Sequence, residues 1–194
     1  MTNPETKKEQ ILKAAVDVIV DHGLESFSIR KLCNQSNLSI GLVYHHFSDK
    51  DEIIHSVLEH YGIGLLSWVG ENVSAAKGDK EKLKTKIIDG YSIHKKYLSL
   101  IIILSNYFTR SFYSETERKS TASLLANYRK TLIKIIQNGT ANGSFKVENP
   151  EVLASLILGS TLGINLQASI DETIDSDAAA DLMVGLILSH ISSK

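Results

Sequence analysis

Apolar residues spaced three and four apart recur along almost the whole of this 194-residue chain. One such series is Ile11, Ala15, Val18 and Ile19. This spacing places apolar side chains on one face of a helix. No sustained run alternates apolar and polar residues between turns, as a half-buried strand would, and the chain has only two prolines. The sequence therefore predicts an all-α fold of about nine helices.

Composition narrows the class of protein further. Hydrophobic residues make up 43% of the chain and charged residues 22%, which is ordinary for a globular protein. The single cysteine, Cys33, excludes an internal disulfide framework and suits a reducing cytosol. The first residues lack the apolar segment of a secretory signal, and the apolar run at 98–104 is short of the ~20 residues that span a bilayer. We expect a cytoplasmic protein without a membrane partner.

Helix starts are marked by capping residues. Thr6 and Glu9 have capping-box spacing, and Gly23 suits the end of the first helix. Asn149 followed by Pro150 predicts a later start, because Asn caps well and Pro is tolerated in the first turn. Four helices are expected before residue 75 and five after it. Further predicted caps are Ser28, Ser39, Ser48, Asp79 and Ser114.

The stretch SIRKLCNQSNLSIGLVYHHF has the spacing of a helix-turn-helix. Ser28 and Ser39 each suit a helix N-cap. Cys33 is small where the two helices must cross closely, and Asn37 tolerates the left-handed backbone that the turn requires. Leu38 follows as an apolar residue that can fix the turn to the core. Together these features predict two short helices meeting at a fixed corner.

The second helix of this pair leaves an unusual set of side chains on its outer side. Val43 and Phe47 are four apart and would face the core. Tyr44, His45 and His46 then face outward. A tyrosine hydroxyl and a histidine N–H both donate to phosphate oxygens, and helix N-termini suit the same anions. The pattern predicts a recognition helix that grips the DNA backbone.

Residues 6–61 resemble the N-terminal domain of TetR/AcrR-type transcriptional regulators. The matching features include Gly23, the serine-capped second helix, and Tyr44 followed by Phe47 and Lys50. The resemblance implies a homodimeric repressor with double-stranded DNA and a small-molecule effector as partners, and no cofactor. The implied parts are a helix-turn-helix domain over 1–47, a connecting helix four over 48–74, an effector-binding and dimerisation domain over 75–194, and a dimer interface over about 149–170 and 177–192.

The family's DNA-contacting residues carry over by position. Two positions depart from the family pattern: Asn37 stands where a turn glycine is common, and Leu42 stands where a hydroxyl is usual. Because the groove-facing end is apolar, we expect readout of thymine methyl groups, with Arg30 the candidate for a guanine. The residues carried over are Ser28, Arg30, Ser39, Ile40, Gly41, Leu42, Tyr44, His45, His46 and Lys50.

Charge leaves a second interpretation open. Residues 1–60 hold six Lys or Arg against nine Asp or Glu, whereas a DNA-binding domain usually carries a basic surface. A helical dimer that binds a small molecule but has lost DNA binding is therefore the alternative. An enzyme is not expected, because the chain lacks HExxH, GxSxG, P-loop and GxGxxG motifs. Adjacent histidines on a helix point about 100° apart and make poor ligands for one metal ion, so no metal is expected.

Effector contacts are predicted where polar and aromatic residues interrupt apolar helices. The segment LSLIIILSNYFTRSFY combines both kinds of residue, as a small-molecule pocket does. The same residues could equally fill a helical core. The candidate effector-binding residues are Trp68, Tyr91, His94, Asn106, Tyr107, Arg110, Tyr128 and Asn165.

Overall fold

The computed structural model describes residues 6–192, without the side chains of residues 62–69 and 96. Within these residues it contains ten α-helices and no strand, apart from an isolated bridge between Phe145 and Ser192. The all-α prediction is confirmed. The helices are α1 Lys7–His22, α2 Ile29–Ser36, α3 Ile40–His46, α4 Lys50–Ala75, α5 Asp79–Tyr91, α6 Ile93–Lys96, α7 Leu98–Ser111, α8 Glu115–Ala141, α9 Pro150–Ala168 and α10 Ser176–Ile191.

Several helix starts form as the sequence predicts. Thr6 and Glu9 close a capping box around the start of α1, and Gly23 follows its end with φ of 76°. Asn149 accepts a hydrogen bond at 3.0 Å from the N–H of Val152, which caps α9. These caps satisfy backbone groups that a helix end leaves free. Local sequence therefore determines where these helices begin.

Two predicted caps are wrong. The cap of α4 is Asp49, whose carboxylate accepts at 2.8 Å from the N–H of Glu52, whereas Ser48 was expected. The N-cap of α5 is Gly78, which has no side chain to cap the helix, and Asp79 is the first helical residue. The Asp79 carboxylate instead accepts from Asn142 and Ser144, which lie more than 60 residues away.

Apolar spacing predicts a single helix over about 80–97, but the structure breaks this segment at Ser92 into α5 and α6. Asn165 of α9 spans the break. Its amide donates at 2.8 Å to the carbonyl of Gly90, and its carbonyl accepts at 2.7 Å from the N–H of His94. The side chain thus replaces hydrogen bonds that the backbone loses at the interruption. This break raises the described helix count to ten.

The described residues form two apolar cores, and helices α4 and α7 contribute buried residues to both. The N-terminal core is formed mainly by α1–α4, and the C-terminal core mainly by α5–α10. Helix α7 contributes Ile103 and Tyr107 to the N-terminal core, and Leu100 and Ile101 to the C-terminal core. It therefore lies between the two parts and contacts both.

Helices α9 and α10 pack against each other. Their junction is closed by the N–H of Lys146, which donates at 2.7 Å to the carbonyl of Ile191. By length and composition alone, α9 is the one helix of the described residues that could cross a membrane. Its outward side carries large apolar residues in solvent, with Val152 53% exposed and Leu156 66% exposed.

Candidate functional site

The corner between α2 and α3 has helix-turn-helix geometry. Asn37 ends α2 in the left-handed region, with φ of 56° and ψ of 25°. Leu38 packs against the N-terminal core. Ser39 then caps α3, because its hydroxyl accepts at 3.1 Å from the N–H of Leu42. Each of the three turn residues thus has the part that the sequence predicted for it.

Helix α3 buries one side and exposes the other. Val43 and Phe47 are buried in the N-terminal core, as expected from their spacing. Tyr44 is 55% exposed on the outer side. His45 is also exposed, and its ring meets the ring of His46 edge to face at 5.0 Å between centroids. The tyrosine and the histidines therefore lie at the protein surface.

The residues carried over as DNA contacts share this surface, and none of their side chains is fully buried. Leu42 and His46 are half-buried, and Leu42 packs against the N-terminal core. No ion pair engages Arg30, His45 or Lys50 within residues 6–192. The exposed members are Ser28, Arg30, Ser39, Ile40, Gly41, Tyr44, His45 and Lys50.

Acidic groups stand close to this surface at the start of α4. The N–H of Glu52 holds the pKa of Asp49 below its usual range, and the N–H of Ser48 does the same for Glu52. Both carboxylates therefore stay ionised at neutral pH. They offset part of the positive charge of Lys50, which lies between them in sequence.

A narrow cavity lies between α6, α7, α8 and α9. About 60 Å³ of it is open to water-sized groups, so a bulky ligand must widen it. Its walls are almost wholly apolar. Helix α7 supplies one complete wall, made of Leu100, Ile101, Leu104 and Phe108.

The polar lining residues gather where α8 and α9 meet the break after α5. Tyr128, Thr161 and Asn165 all line the cavity. The Tyr128 hydroxyl lies so close to Gly90 that a Cβ there would be 2.6 Å from the hydroxyl oxygen. Glycine at position 90 is therefore required for this packing. The cavity combines apolar walls with one small polar end.

The wall formed by α7 is also part of the N-terminal core. Leu104 faces the cavity, while the preceding residue, Ile103, is fully buried against the N-terminal core. Tyr107 is buried in the same core, where burial raises its pKa to about 12. A shift of α7 caused by a ligand would therefore press directly on the helices that hold α3.

The comparison with known families decides what the N-terminal unit is. Residues 11–57 match the family described as bacterial regulatory proteins, tetR family, and this range contains α2, α3 and the corner between them. By its N-terminal domain, the chain belongs to the tetR family. It is a DNA-binding transcriptional regulator.

Relatives of this TetR-family regulator match well beyond the N-terminal domain. The fatty acid metabolism regulator protein of Bacillus subtilis is 24% identical over 196 residues, which cover all of both chains. The transcriptional repressor KstR2 of Mycolicibacterium smegmatis is 23% identical over 146 residues, covering 75% of this chain and 70% of the relative. These relatives are regulators rather than enzymes by description.

A solved structure shows the same fold. The regulator FadR of Bacillus subtilis, in complex with stearoyl-CoA, superposes with a TM-score of 0.80 at 22% identity. The superposition covers 93% of this chain and 97% of that one. The TetR-family fold therefore extends through the C-terminal helices.

The cavity brings together only some of the predicted effector-binding residues among those that the structure describes. Tyr128 and Asn165 line the cavity, and His94 bonds to Asn165 beside it. Tyr91 is buried in the C-terminal core, and Tyr107 in the N-terminal core. Neither of these two is among the cavity lining.

Two further candidates, Asn106 and Arg110, make contacts outside the cavity lining, and the side chain of a third is not described. The amide of Asn106 donates at 2.8 Å to the Ile102 carbonyl of its own helix. The guanidinium of Arg110 pairs with Glu117 at 2.6 Å and therefore faces away from the cavity lining. The side chain of Trp68 lies outside the described residues.

Sequence reasoning missed most of the cavity wall. It selected polar and aromatic residues as ligand contacts, whereas Leu104 and Phe108 of α7 form the wall together with leucines of α8 and α9. Their three- and four-residue spacing indicates a buried face. That signal cannot separate a cavity wall from a packed core, because both are apolar.

Proposed function

We propose that this regulator is a homodimeric repressor that leaves its operator when a largely apolar molecule enters the cavity. The position of α7 carries the proposal. Its residues line the cavity on one side and are buried in the N-terminal core on the other. A ligand in the cavity and the core of the N-terminal domain would therefore both contact α7, which gives a physical route for coupling between the two sites.

The narrowness of the cavity supplies a direction for the coupling. A ligand with several carbons cannot enter without moving α7 or α8 outward, because about 60 Å³ is open to it. The ligand then favours a widened state over the narrow one. DNA affinity falls only by the ratio of the ligand's affinities for these two states. Two recognition helices must sit about 34 Å apart to enter successive major grooves.

A long-chain acyl group is the ligand that we propose. The cavity walls are almost wholly apolar, and burial of each CH₂ contributes about 0.8 kcal/mol. A relative that covers the whole chain is described as a regulator of fatty acid metabolism, and a solved relative was crystallised with stearoyl-CoA. Similarity to these proteins supports an acyl ligand here.

The dimer is proposed to form through the outward sides of α9 and α10. A contiguous apolar surface of this kind marks an interaction site in proteins of this size. Gly159 and Gly185 lie on it with open space around them, so a second subunit can approach the backbone closely. The large apolar residues exposed on α9 and α10 are Val152, Leu156, Leu166, Leu182 and Leu186, and Ile170 is exposed just after α9.

Sedimentation of the purified chain tests the dimer. Wild type is expected at twice the mass of the 21.4 kDa chain. Leu156→Glu places a charge on the proposed interface and should give a monomer that remains helical, because this side chain is already exposed within one subunit. Lys134→Glu, on the exposed part of α8, is the matched control and should remain dimeric. A wild-type monomer would refute the dimer.

An electrophoretic shift with the DNA upstream of the regulator's own gene tests DNA binding and release. The wild-type protein should shift this DNA, and stearoyl-CoA should reverse the shift. Free coenzyme A is the control for the nucleotide part of the ligand. A shift that stearoyl-CoA does not reverse would refute the acyl ligand. No shift at low salt would favour the alternative dimer without DNA binding.

A further inference from the structure

The polar end of the cavity contains a buried donor without a partner. The Tyr128 hydroxyl makes no hydrogen bond within residues 6–192. The hydroxyl of Thr161, which also lines the cavity, donates at 2.8 Å to the carbonyl of Ile157 and is not a hydrogen-bond partner of Tyr128. An unsatisfied buried hydroxyl costs folding free energy, so its retention needs a reason.

The other polar group at this end is already saturated. Asn165 donates to the carbonyls of Gly90 and Thr161, and its own carbonyl accepts from the N–H of His94. Burial raises the pKa of Tyr128 well above its usual range. The phenol therefore stays protonated and is available as a donor. What the polar end lacks is an acceptor.

A buried cation lies behind the same ring. Lys86 of α5 is 1% exposed, and its Nζ is 3.9 Å from the centre of the Tyr128 ring. The nearest acid along the helix, Asp89, accepts instead from the amide of Asn72 at 2.9 Å. No carboxylate forms an ion pair with Lys86 in the part of the chain that the structure describes. The ring face of Tyr128 and, at longer range, Asp89 both stabilise the positive charge.

We infer that the polar end of the cavity binds the carbonyl or carboxylate oxygen of an acyl ligand. The Tyr128 hydroxyl donates the hydrogen bond, and the Lys86 ammonium stabilises negative charge on the acceptor through the ring. This inference rests on the ligand cavity of the proposed function and adds to it the group that fixes the ligand's orientation. A packed core pair without a ligand role would show the same contacts but no preference among ligands.

A free carboxylate and a thioester both present the required oxygen. Decanoate and decanoyl-CoA therefore serve as two arms of the test, and decylamine is the matched ligand that carries a cation instead of an acceptor. Calorimetric titration of the full chain measures the affinity for each ligand. Decanoate, decanoyl-CoA or both should bind at least about tenfold more tightly than decylamine. The tighter arm identifies the source of the acyl group.

Two conservative variants separate the hydroxyl from the charge. Tyr128→Phe removes only the hydroxyl and should weaken the preferred oxygen ligand by about tenfold, with decylamine changed less than about twofold. Lys86→Met keeps the length of the side chain and should weaken decanoate by more than decanoyl-CoA, because only decanoate carries a full charge at the acceptor. Circular dichroism checks that both variants remain helical.

Each outcome bears on one proposal. If Tyr128→Phe binds all ligands as wild type does, or if wild type binds decylamine as tightly as decanoate, the inference is overturned. If all three ligands released DNA equally well, the proposal of an apolar effector would be supported, but the inference about the polar end would be overturned. If none of the ligands binds while the protein still shifts its DNA, both the inference and the acyl ligand are refuted.

Discussion

The guanidinium of Arg110 in α7 lies 3.4 Å from the carboxylate of Asp51 in α4. The same guanidinium contacts Glu117 of α8 at 2.6 Å. One side chain thus joins the N-terminal domain to two helices that line the cavity. The two contacts differ in exposure, because the side chain of Asp51 is 71% exposed and that of Glu117 is 14% exposed.

This difference predicts unequal effects of neutralising the two acids. Asp51→Asn should change the free energy of unfolding by no more than about 0.5 kcal/mol, since an exposed pair is screened by water and salt. Glu117→Gln should lower it by about 1–2 kcal/mol, because the shielded guanidinium then loses its charged partner. Urea unfolding of both variants measures the difference. Equal decreases in the free energy of unfolding would show that solvent exposure does not determine how much each ion pair of Arg110 contributes to stability.

A second pair of variants tests the two faces of α7. Ile103 is fully buried in the N-terminal core, so Ile103→Ala should lower the free energy of unfolding by about 2–4 kcal/mol. Leu104 is half-buried and borders an existing cavity, so Leu104→Ala should cost about 1 kcal/mol.

The same two variants should affect ligand affinity in the opposite order, with the larger change for Leu104→Ala. Leu104→Ala removes part of the cavity wall and should change the affinity for an acyl ligand, while Ile103→Ala should leave it nearly unchanged. Titration calorimetry compares the two. A larger change for Ile103→Ala would mean that α7 does not separate the two cores as its packing indicates.

The helix-turn-helix could be predicted because its signals are local. Ser28 and Ser39 cap α2 and α3 through hydrogen bonds that reach three residues ahead. Asn37 adopts a backbone conformation that its residue type tolerates. Such interactions lie within one window of sequence, so no knowledge of the remaining chain is needed to expect them.

The break after α5 could not be predicted in this way. It is supported by Asn165, whose partners Gly90 and His94 lie more than 70 residues earlier. The sequence assigned Asn165 a place among ligand contacts, and it does line the cavity, but its polar groups are taken up by the break. Arg110 was likewise predicted to contact the ligand. Its two acidic partners come from other helices, so local sequence could not show that its charge is already paired.

Exposed residues of α3 and of the first turn of α4 predict an effect on DNA binding without an effect on stability. Tyr44→Phe removes a hydroxyl that we expect to donate to a phosphate, and Lys50→Ala removes a charge. Each should weaken the DNA complex by about three- to tenfold, which corresponds to roughly one lost hydrogen bond. Lys13→Ala, also exposed but on α1, is the matched control and should bind as wild type does.

Electrophoretic titration at fixed salt measures these affinities. The melting temperature of each variant should stay close to that of wild type, because Tyr44 and Lys50 are exposed. Wild-type affinity in both variants would remove Tyr44 and Lys50 from the proposed contacts.

The apolar tip of α3 predicts the kind of base that is read. Ile40 is 48% exposed and Gly41 has open space around it, so this end offers no hydrogen-bonding side chain to a base edge. Contact with thymine methyl groups is the readout that such residues permit. Selection of binding sites from random DNA should return half-sites with thymine opposite α3. Replacing those thymines by uracil, which lacks the methyl group, should weaken binding by about 0.8 kcal/mol for each methyl group that the protein buries.

The buried lysine predicts a stability that depends on pH. Burial lowers the pKa of Lys86 from 10.5 to about 8, against a smaller opposing effect of Asp89. Below pH 8 the side chain is charged in both the folded and the unfolded chain, and the cost of burying the charge is fully present. Between pH 8 and 10.5 the unfolded chain binds a proton that the folded chain does not, so this cost is relieved as pH rises.

Lys86→Met removes the charge and isolates this effect from other titrating groups. At pH 7 the variant should be more stable than wild type by about 1–3 kcal/mol, because an apolar side chain of similar length replaces a buried cation. The difference should shrink as pH approaches 10, since wild type then buries a neutral amine. Urea unfolding at pH 7, 8, 9 and 10 measures it, with the exposed Lys134→Met as control. A difference that stays constant over this range would mean that Lys86 keeps its proton when folded, and that an anion already balances its charge.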